Sequence, residues 1–209
     1  VPAFLLALEG GEGTGKSTQA ALLVAALTAA GHEVVATREP GAGRVGAVLR
    51  EQLLDPALGP LDPRAEALLY AADRAEHVAR LVRPALARGA VVVTDRFVDS
   101  SLAYQGVARG LGVAAVGALS AFATGGLVAD LVVLLDLDPA VGLARAEGTP
   151  DRLEAEPMDF HHRVREAFLT LAAGDPAGHV VVDAARDPAA VHADVWAAVT
   201  ARLAAGATR

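Results

Sequence analysis

At 209 residues, with 53% hydrophobic content and a formal net charge of −7, the chain has the length for one domain with a substantial core. The acidic balance argues against a nucleic-acid polymer as partner, and the absence of cysteine excludes disulfides and thiolate zinc sites. No apolar stretch reaches spanning length without a charge or a glycine cluster, and no basic region precedes Phe4–Leu8, so neither a membrane span nor a signal peptide is expected. The expectation is a cytoplasmic protein acting on a small molecule.

The first element is the short apolar run Ala3–Leu8, of buried-strand length. Behind it stands Gly10-Gly11-Glu12-Gly13-Thr14-Gly15-Lys16-Ser17, then Thr18 and an Ala/Leu-rich helix reaching Ala30. Glycine, four residues and Gly-Lys-Ser, set between a strand and a helix, is the pattern of a phosphate-binding loop. Its glycines let backbone N–H groups converge on a polyphosphate at a helix N-terminus. Lys16 then reaches the β- and γ-phosphates and the Ser17 hydroxyl is placed to ligate Mg²⁺. Lys16 is the only lysine in the chain, although arginine occurs throughout. That retention singles out an ammonium with a task, and a nucleoside triphosphate is the expected ligand.

Downstream, apolar runs alternate with helical patterns. Strands are expected at Glu33–Thr37, Ala90–Asp95, Asp130–Asp136 and His179–Asp183. Helices are expected near Arg44–Leu54, Pro63–Ala87, Val113–Thr124, from Pro139, near Met158–Ala173 and from Pro188. Strands without polar alternation, separated by helices, indicate a parallel sheet buried on both faces, hence a three-layer α/β/α domain over residues 1–209. Ligands of such folds sit at the carboxyl ends of the strands.

Three clusters fall where a second substrate would lie. Thr37-Arg38-Glu39-Pro40-Gly41 follows the second strand and by itself reads as a Pro-Gly turn. Tyr70 and Arg74 are four apart on one helix face, suited to stacking on a base and bonding its edge, and equally to a packed Tyr beside a solvated Arg. Asp95-Arg96-Phe97, followed by Ser100-Ser101-Leu102-Ala103-Tyr104-Gln105-Gly106, puts an acid and an arginine at the end of a buried strand. Arg96 matches phosphate geometry, and Asp95 is a candidate to hold Mg²⁺ through water. An Asn/Thr-Lys-x-Asp element for guanine is missing, since the one lysine is already in the loop.

In order along nearly the whole chain, these motifs resemble those of the thymidylate kinase family. Phe4–Gly10 with its loop, Arg38–Gly41, Ala71-Ala72-Asp73-Arg74, Asp95-Arg96-Phe97, Ser100–Gly106, Ala123–Gly126 and Asp151-Arg152-Leu153-Glu154 carry the resemblance. It implies a homodimeric enzyme that moves the γ-phosphoryl group of Mg·ATP to thymidine 5′-monophosphate (dTMP). By the family's pattern, Arg50 and Arg96 hold the acceptor phosphate, Tyr70 stacks on thymine and Arg74 bonds its O4. Ser101 and Gln105 approach the other polar edge of the ring, Tyr104 crowds the 2′ position, Glu12 approaches the 3′-hydroxyl, and Glu39 organises the acceptor site. Glu12-Gly13-Thr14 supplies no arginine inside the loop. The resemblance therefore points to a catalytic arginine in a lid over residues 145–157, with Arg145 and Arg152 as candidates and Gly148 and Pro150 as flexible positions. Ala42, Tyr70 and Phe97 depart from the usual family residues, and Arg163 and Arg165 read as solvated. A kinase for another pyrimidine monophosphate and a non-catalytic ATP-binding module are the alternatives.

Overall fold

The computed structural model describes residues 3–145 and 149–206. Its centre is a sheet of five parallel strands in the order β2-β3-β1-β4-β5, with β1 at Phe4–Glu9, β2 at Val34–Arg38, β3 at Val91–Asp95, β4 at Leu131–Asp136 and β5 at His179–Asp183. The expected strands agree with these to within one residue at each end. The helices are α1 (Lys16–Ala29), α2 (Gly43–Leu54), α3 (Pro63–His77), α4 (Arg83–Ala87), α5 (Val98–Ser101), α6 (Val113–Thr124), α7 (Pro139–Arg145), α8 (Met158–Gly174) and α9 (Pro188–Gly206). None of the described helices is long and apolar enough to cross a membrane.

β1 shows why its apolar run does not alternate with polar residues. All six of its residues are buried, and successive side chains enter opposite layers. Phe4, Leu6 and Leu8 pack with Leu23 and Leu27 of α1 and with Val191, Val195 and Val199 of α9. Leu5 and Ala7 pack on the other face with Val78, Val82, Ala85 and Phe97. A third cluster, built on Tyr70, Tyr104, Phe160 and Phe168, lies beside the carboxyl end of β4 through Leu134. The first two clusters fix β1, and with it the loop that follows.

Two helical stretches differ from the sequence expectation. The segment Pro63–Ala87 is not one uniform α-helix: a π-helical turn at Val78–Val82 separates α3 from α4. Pro84 lies in the first turn of α4, and a proline lacks an N–H and crowds the carbonyl one turn back, so the widened turn accommodates it. Residues 98–108, where no helix is expected from the sequence, are helical throughout: α5 continues into a π-helical stretch, Leu102–Ala108. Asp99, Ser100, Ser101 and Gly106 hide that helix in the sequence, because Ser and Asp compete for backbone bonds and Gly has low intrinsic helix propensity. Of the lid, Ala146, Glu147 and Gly148 lie outside the described residues.

Leu23→Ala, at a side chain with no exposed surface, is expected to destabilise the fold by about 2–5 kcal/mol. Urea unfolding should show a lower midpoint with an unchanged slope.

Candidate active site

The loop after β1 is shaped by close approach. Gly13 has φ +64°, and a Cβ there would lie 1.9 Å from the carbonyl oxygen of Gly142 in α7. Gly10 has φ +141°, and its Cβ would lie 2.5 Å from the Leu135 carbonyl. Neither position admits a side chain. Gly15 caps α1 in a left-handed conformation, so the helix N-terminus opens on the loop. Lys16 is buried and curls back to donate to the Gly11 carbonyl at 2.6 Å and the Gly10 carbonyl at 3.2 Å. Burial, with Arg96 nearby, lowers its ammonium to about 8.

Around this loop opens a cleft of about 570 Å³. Lys16 and five arginines line it, namely Arg38, Arg50, Arg96, Arg145 and Arg186, against two acids, Glu12 and Asp95. A chain of net charge −7 thus gathers cations at one place, as binding of polyanions requires. Ser17 Oγ donates to Asp95 Oδ2 at 2.9 Å, so the two oxygen groups proposed for Mg²⁺ meet at the cleft wall.

Arg96 sits at the centre of the site. Its backbone has φ +70°, an unfavourable region for a residue with a Cβ. Its N–H donates to the Leu8 carbonyl at 2.9 Å. Just beyond it, the Glu9 carboxylate accepts from the Phe97 N–H at 2.8 Å, the Ser100 N–H at 3.2 Å and Ser100 Oγ at 2.5 Å. These bonds tie the turn to the end of β1 and hold the strained residue. The guanidinium spans Gly10 O at 3.0 Å, Ser100 Oγ at 3.1 Å, Glu12 Oε1 at 2.7 Å and the Tyr104 hydroxyl at 3.3 Å. Tyr104 also donates to Glu12 Oε1 at 2.7 Å. Burial alone would raise the Glu12 carboxyl, but Arg96, Lys16 and the Tyr104 bond bring it down to about 2.

A narrow second pocket adjoins the cleft, lined by Glu39, Tyr70, Arg74, Arg96, Ser100, Ser101, Tyr104, Gln105 and Leu153. Arg74 is buried, and four of its five N–H groups are engaged: by Glu39 Oε2 at 2.7 Å, Ser120 Oγ at 3.2 Å, the Phe97 carbonyl at 2.9 Å and Ser101 Oγ at 3.0 Å. Glu39 Oε1 meets His77 Nδ1 at 2.7 Å, and His77 Nε2 meets Thr37 Oγ1 at 2.8 Å. Arg74 is therefore held rigidly, not solvated. Arg50 donates to the Pro40 carbonyl at 2.9 Å, on the cleft side.

The two lid candidates part company. Arg145 lines the cleft and donates to the Ala184 carbonyl at 3.1 Å. Arg152 is turned away: its Nε donates to the Leu53 carbonyl at 2.8 Å and its Nη1 to the buried Glu66 at 2.6 Å. Arg165, read as solvated, makes a bidentate pair with Asp136 at 2.7 and 2.9 Å; Arg163 is exposed as expected. Sequence reasoning passed over Glu9, Glu66 and His77 because nothing local marks a buried charge whose partners lie 35 or more residues away. Arg186 was missed as a cleft cation for a related reason, since a lone arginine in a loop carries no spacing signal; Arg38, at the end of β2, was read within a motif but given no role in the cleft.

Burial, with Asp99 nearby, pushes Glu9 up to about 7 against the Ser100 bond and Arg96. A carboxyl raised in the folded state contributes stability in full below about 4.5 and loses it as pH rises through about 7. The thermal midpoint of Glu9→Gln minus that of the wild type should therefore grow between about pH 5 and about pH 8. A flat difference would mean Glu9 does not titrate in that window.

A family model described as thymidylate kinase matches residues 8–195. A thymidylate kinase of Deinococcus radiodurans is 52% identical over 201 residues, covering 95% of this chain and 97% of that protein. One from Clavibacter michiganensis subsp. michiganensis is 53% identical over 206 residues, covering 97% of each. The crystal structure of thymidylate kinase from Ehrlichia chaffeensis superposes with a TM-score of 0.80 at 28% identity, covering 96% of this chain and 99% of that one. The loop, the cationic cleft and the pocket beside it thus stand in a chain that belongs to the thymidylate kinase family.

Proposed function

We propose that the chain transfers the γ-phosphoryl group of ATP to dTMP, giving the diphosphate. The observation that carries this reading is the position of Arg96, which lines both the phosphate cleft and the narrow pocket. ATP phosphates on the loop and an acceptor phosphate beside Arg96 and Arg50 would then meet around one guanidinium. Tyr70 and Arg74 would receive the thymine, with Ser101 and Gln105 at its other edge. Tyr104 would face the sugar and, with Glu12, the 3′-hydroxyl side.

The attacking oxygen belongs to a phosphate already ionised, so no base has to remove a proton. The remaining work is alignment and charge stabilisation. Arg96, Arg50 and Lys16 bring two polyanions together; Leu8 and Glu9 hold the backbone at and just after Arg96, and Gly10 O and Ser100 Oγ orient its fork. Arg145, facing the same cleft, is the lid arginine that the geometry favours for the transferring group. Ser17 and Asp95 offer hard oxygen donors suited to Mg²⁺. When bound, that ion neutralises charge on the phosphates.

The reading includes a homodimer acting in the cytoplasm. Leu68 on α3 and Phe122 on α6 are 57% and 88% exposed, and these helices pack together, which supplies apolar surface for a second copy. Sedimentation should give twice the monomer mass.

A coupled ADP-release assay with Mg·ATP, offering dTMP, dUMP, dCMP, UMP and AMP separately, should give the greatest turnover with dTMP. Arg96→Ala should lower kcat by about 10²–10³-fold. Arg74→Ala should raise KM for dTMP, and EDTA should abolish turnover. Better turnover with a cytidine or adenine monophosphate would reject the base assignment. ATP binding without acceptor-dependent turnover would leave a nucleotide-binding module.

A further inference from the structure

Glu66, on the first turns of α3, has no exposed surface, yet it carries a carboxylate. Its Oε1 accepts from Gln105 Nε2 at 2.8 Å and from Arg109 Nε at 3.3 Å. Its Oε2 accepts from Arg152 Nη1 at 2.6 Å and from Arg109 Nη2 at 3.3 Å. Burial pushes this carboxyl up, but the Gln105 bond and the Arg109 and Arg152 cations outweigh it and hold it below the usual range. Glu66 is therefore an ionised group that only accepts hydrogen bonds.

That property constrains Gln105. A glutamine amide presents a donor end and an acceptor end of nearly equal shape, so its environment decides which faces a ligand. Here the NH₂ end is bound to Glu66. The reversed amide would set its carbonyl oxygen against a carboxylate oxygen in the same place, which is repulsive. Gln105 is buried and lines the narrow pocket, so Oε1 is the end left for a base. A pyrimidine whose N3 carries a hydrogen, as in thymine and uracil, can donate to that oxygen. Cytosine has a lone pair at N3 and would meet acceptor against acceptor.

We propose that Glu66 is a specificity-determining positioning residue: it locks the Gln105 amide with its acceptor toward the base and so selects pyrimidines protonated at N3. This rests on the dTMP reading above. The same carboxylate also holds Arg152, from the segment following the cleft-side α7, so the base reader and that segment share one anchor. An amide at position 66 would not do both, because its NH₂ end would oppose either Gln105 or the arginines.

The test compares kcat/KM for dTMP, dUMP and dCMP in wild type, Glu66→Gln, Gln105→Leu and the double variant. Each single variant should lower the dTMP:dCMP ratio about tenfold while the dTMP:dUMP ratio stays within about twofold, since uracil shares the N3 hydrogen. The double variant should fall no further than the larger single effect. Equal losses on all three substrates, additive effects, or an unchanged ratio in Gln105→Leu would overturn the proposal, the last even if Glu66→Gln does not fold. Wild type without dTMP turnover would instead overturn the underlying reading.

Discussion

The site depends on one turn. Arg96 must leave the end of β3 with a positive φ and still deliver its guanidinium to the mouth of the phosphate loop, and two neighbours on β1 hold it there. The Leu8 carbonyl takes its N–H, and the buried Glu9 carboxylate gathers the Phe97 and Ser100 N–H groups just after it. β1 therefore carries the phosphate loop on its carboxyl end and, through Leu8 and Glu9, also fixes the arginine beside that loop. Burial of all six β1 residues between two hydrophobic layers makes this anchor rigid. The strain at Arg96 persists because the surroundings over-determine it.

From that junction the charges fall into order. Glu12 and Tyr104 occupy the guanidinium in the absence of a ligand, at 2.7 and 3.3 Å, much as Lys16 folds back on the loop carbonyls. Both cations are thus satisfied but exchangeable, and a phosphate offers each a stronger, charge-assisted partner. Deeper in, no such exchange is offered. Arg74 is bound by Glu39, Ser120, Phe97 and Ser101, and Glu66 by Gln105, Arg109 and Arg152, as buried networks in which removing one member strands a buried charge. The base side is rigid and the phosphate side is ready to rearrange. That division suits a transferase for dTMP, whose base must be read before two polyanions are aligned.

Much of this was legible in the chain. The phosphate loop announces itself through glycine spacing, the sheet through apolar runs, and the substrate side through ordered motifs around Arg38, Arg74 and Arg96. What stayed hidden has a common physical form. Glu9, Glu66 and His77 act through partners at least 35 residues away, and a buried charge resembles a surface charge until the fold supplies them. The helix over residues 98–108 was masked by the polar side chains that make it useful. Arg152 shows the reverse error: its place in a lid motif suggested phosphate contact, while its buried bond to Glu66 directs it elsewhere. Motif position assigns a segment, and only packing assigns a direction.

The central claim is that a forked guanidinium at position 96, pre-oriented by β1, joins the donor and acceptor halves of the site. Arg96→Lys keeps the charge and loses the fork. Rapid-quench single-turnover measurement of phosphoryl transfer from ATP to dTMP should show the step slowed by about 10²-fold or more, with ATP affinity changed by less than about twofold. A variant that transfers at the wild-type rate, or one whose defect lies in ATP affinity alone, would contradict the account.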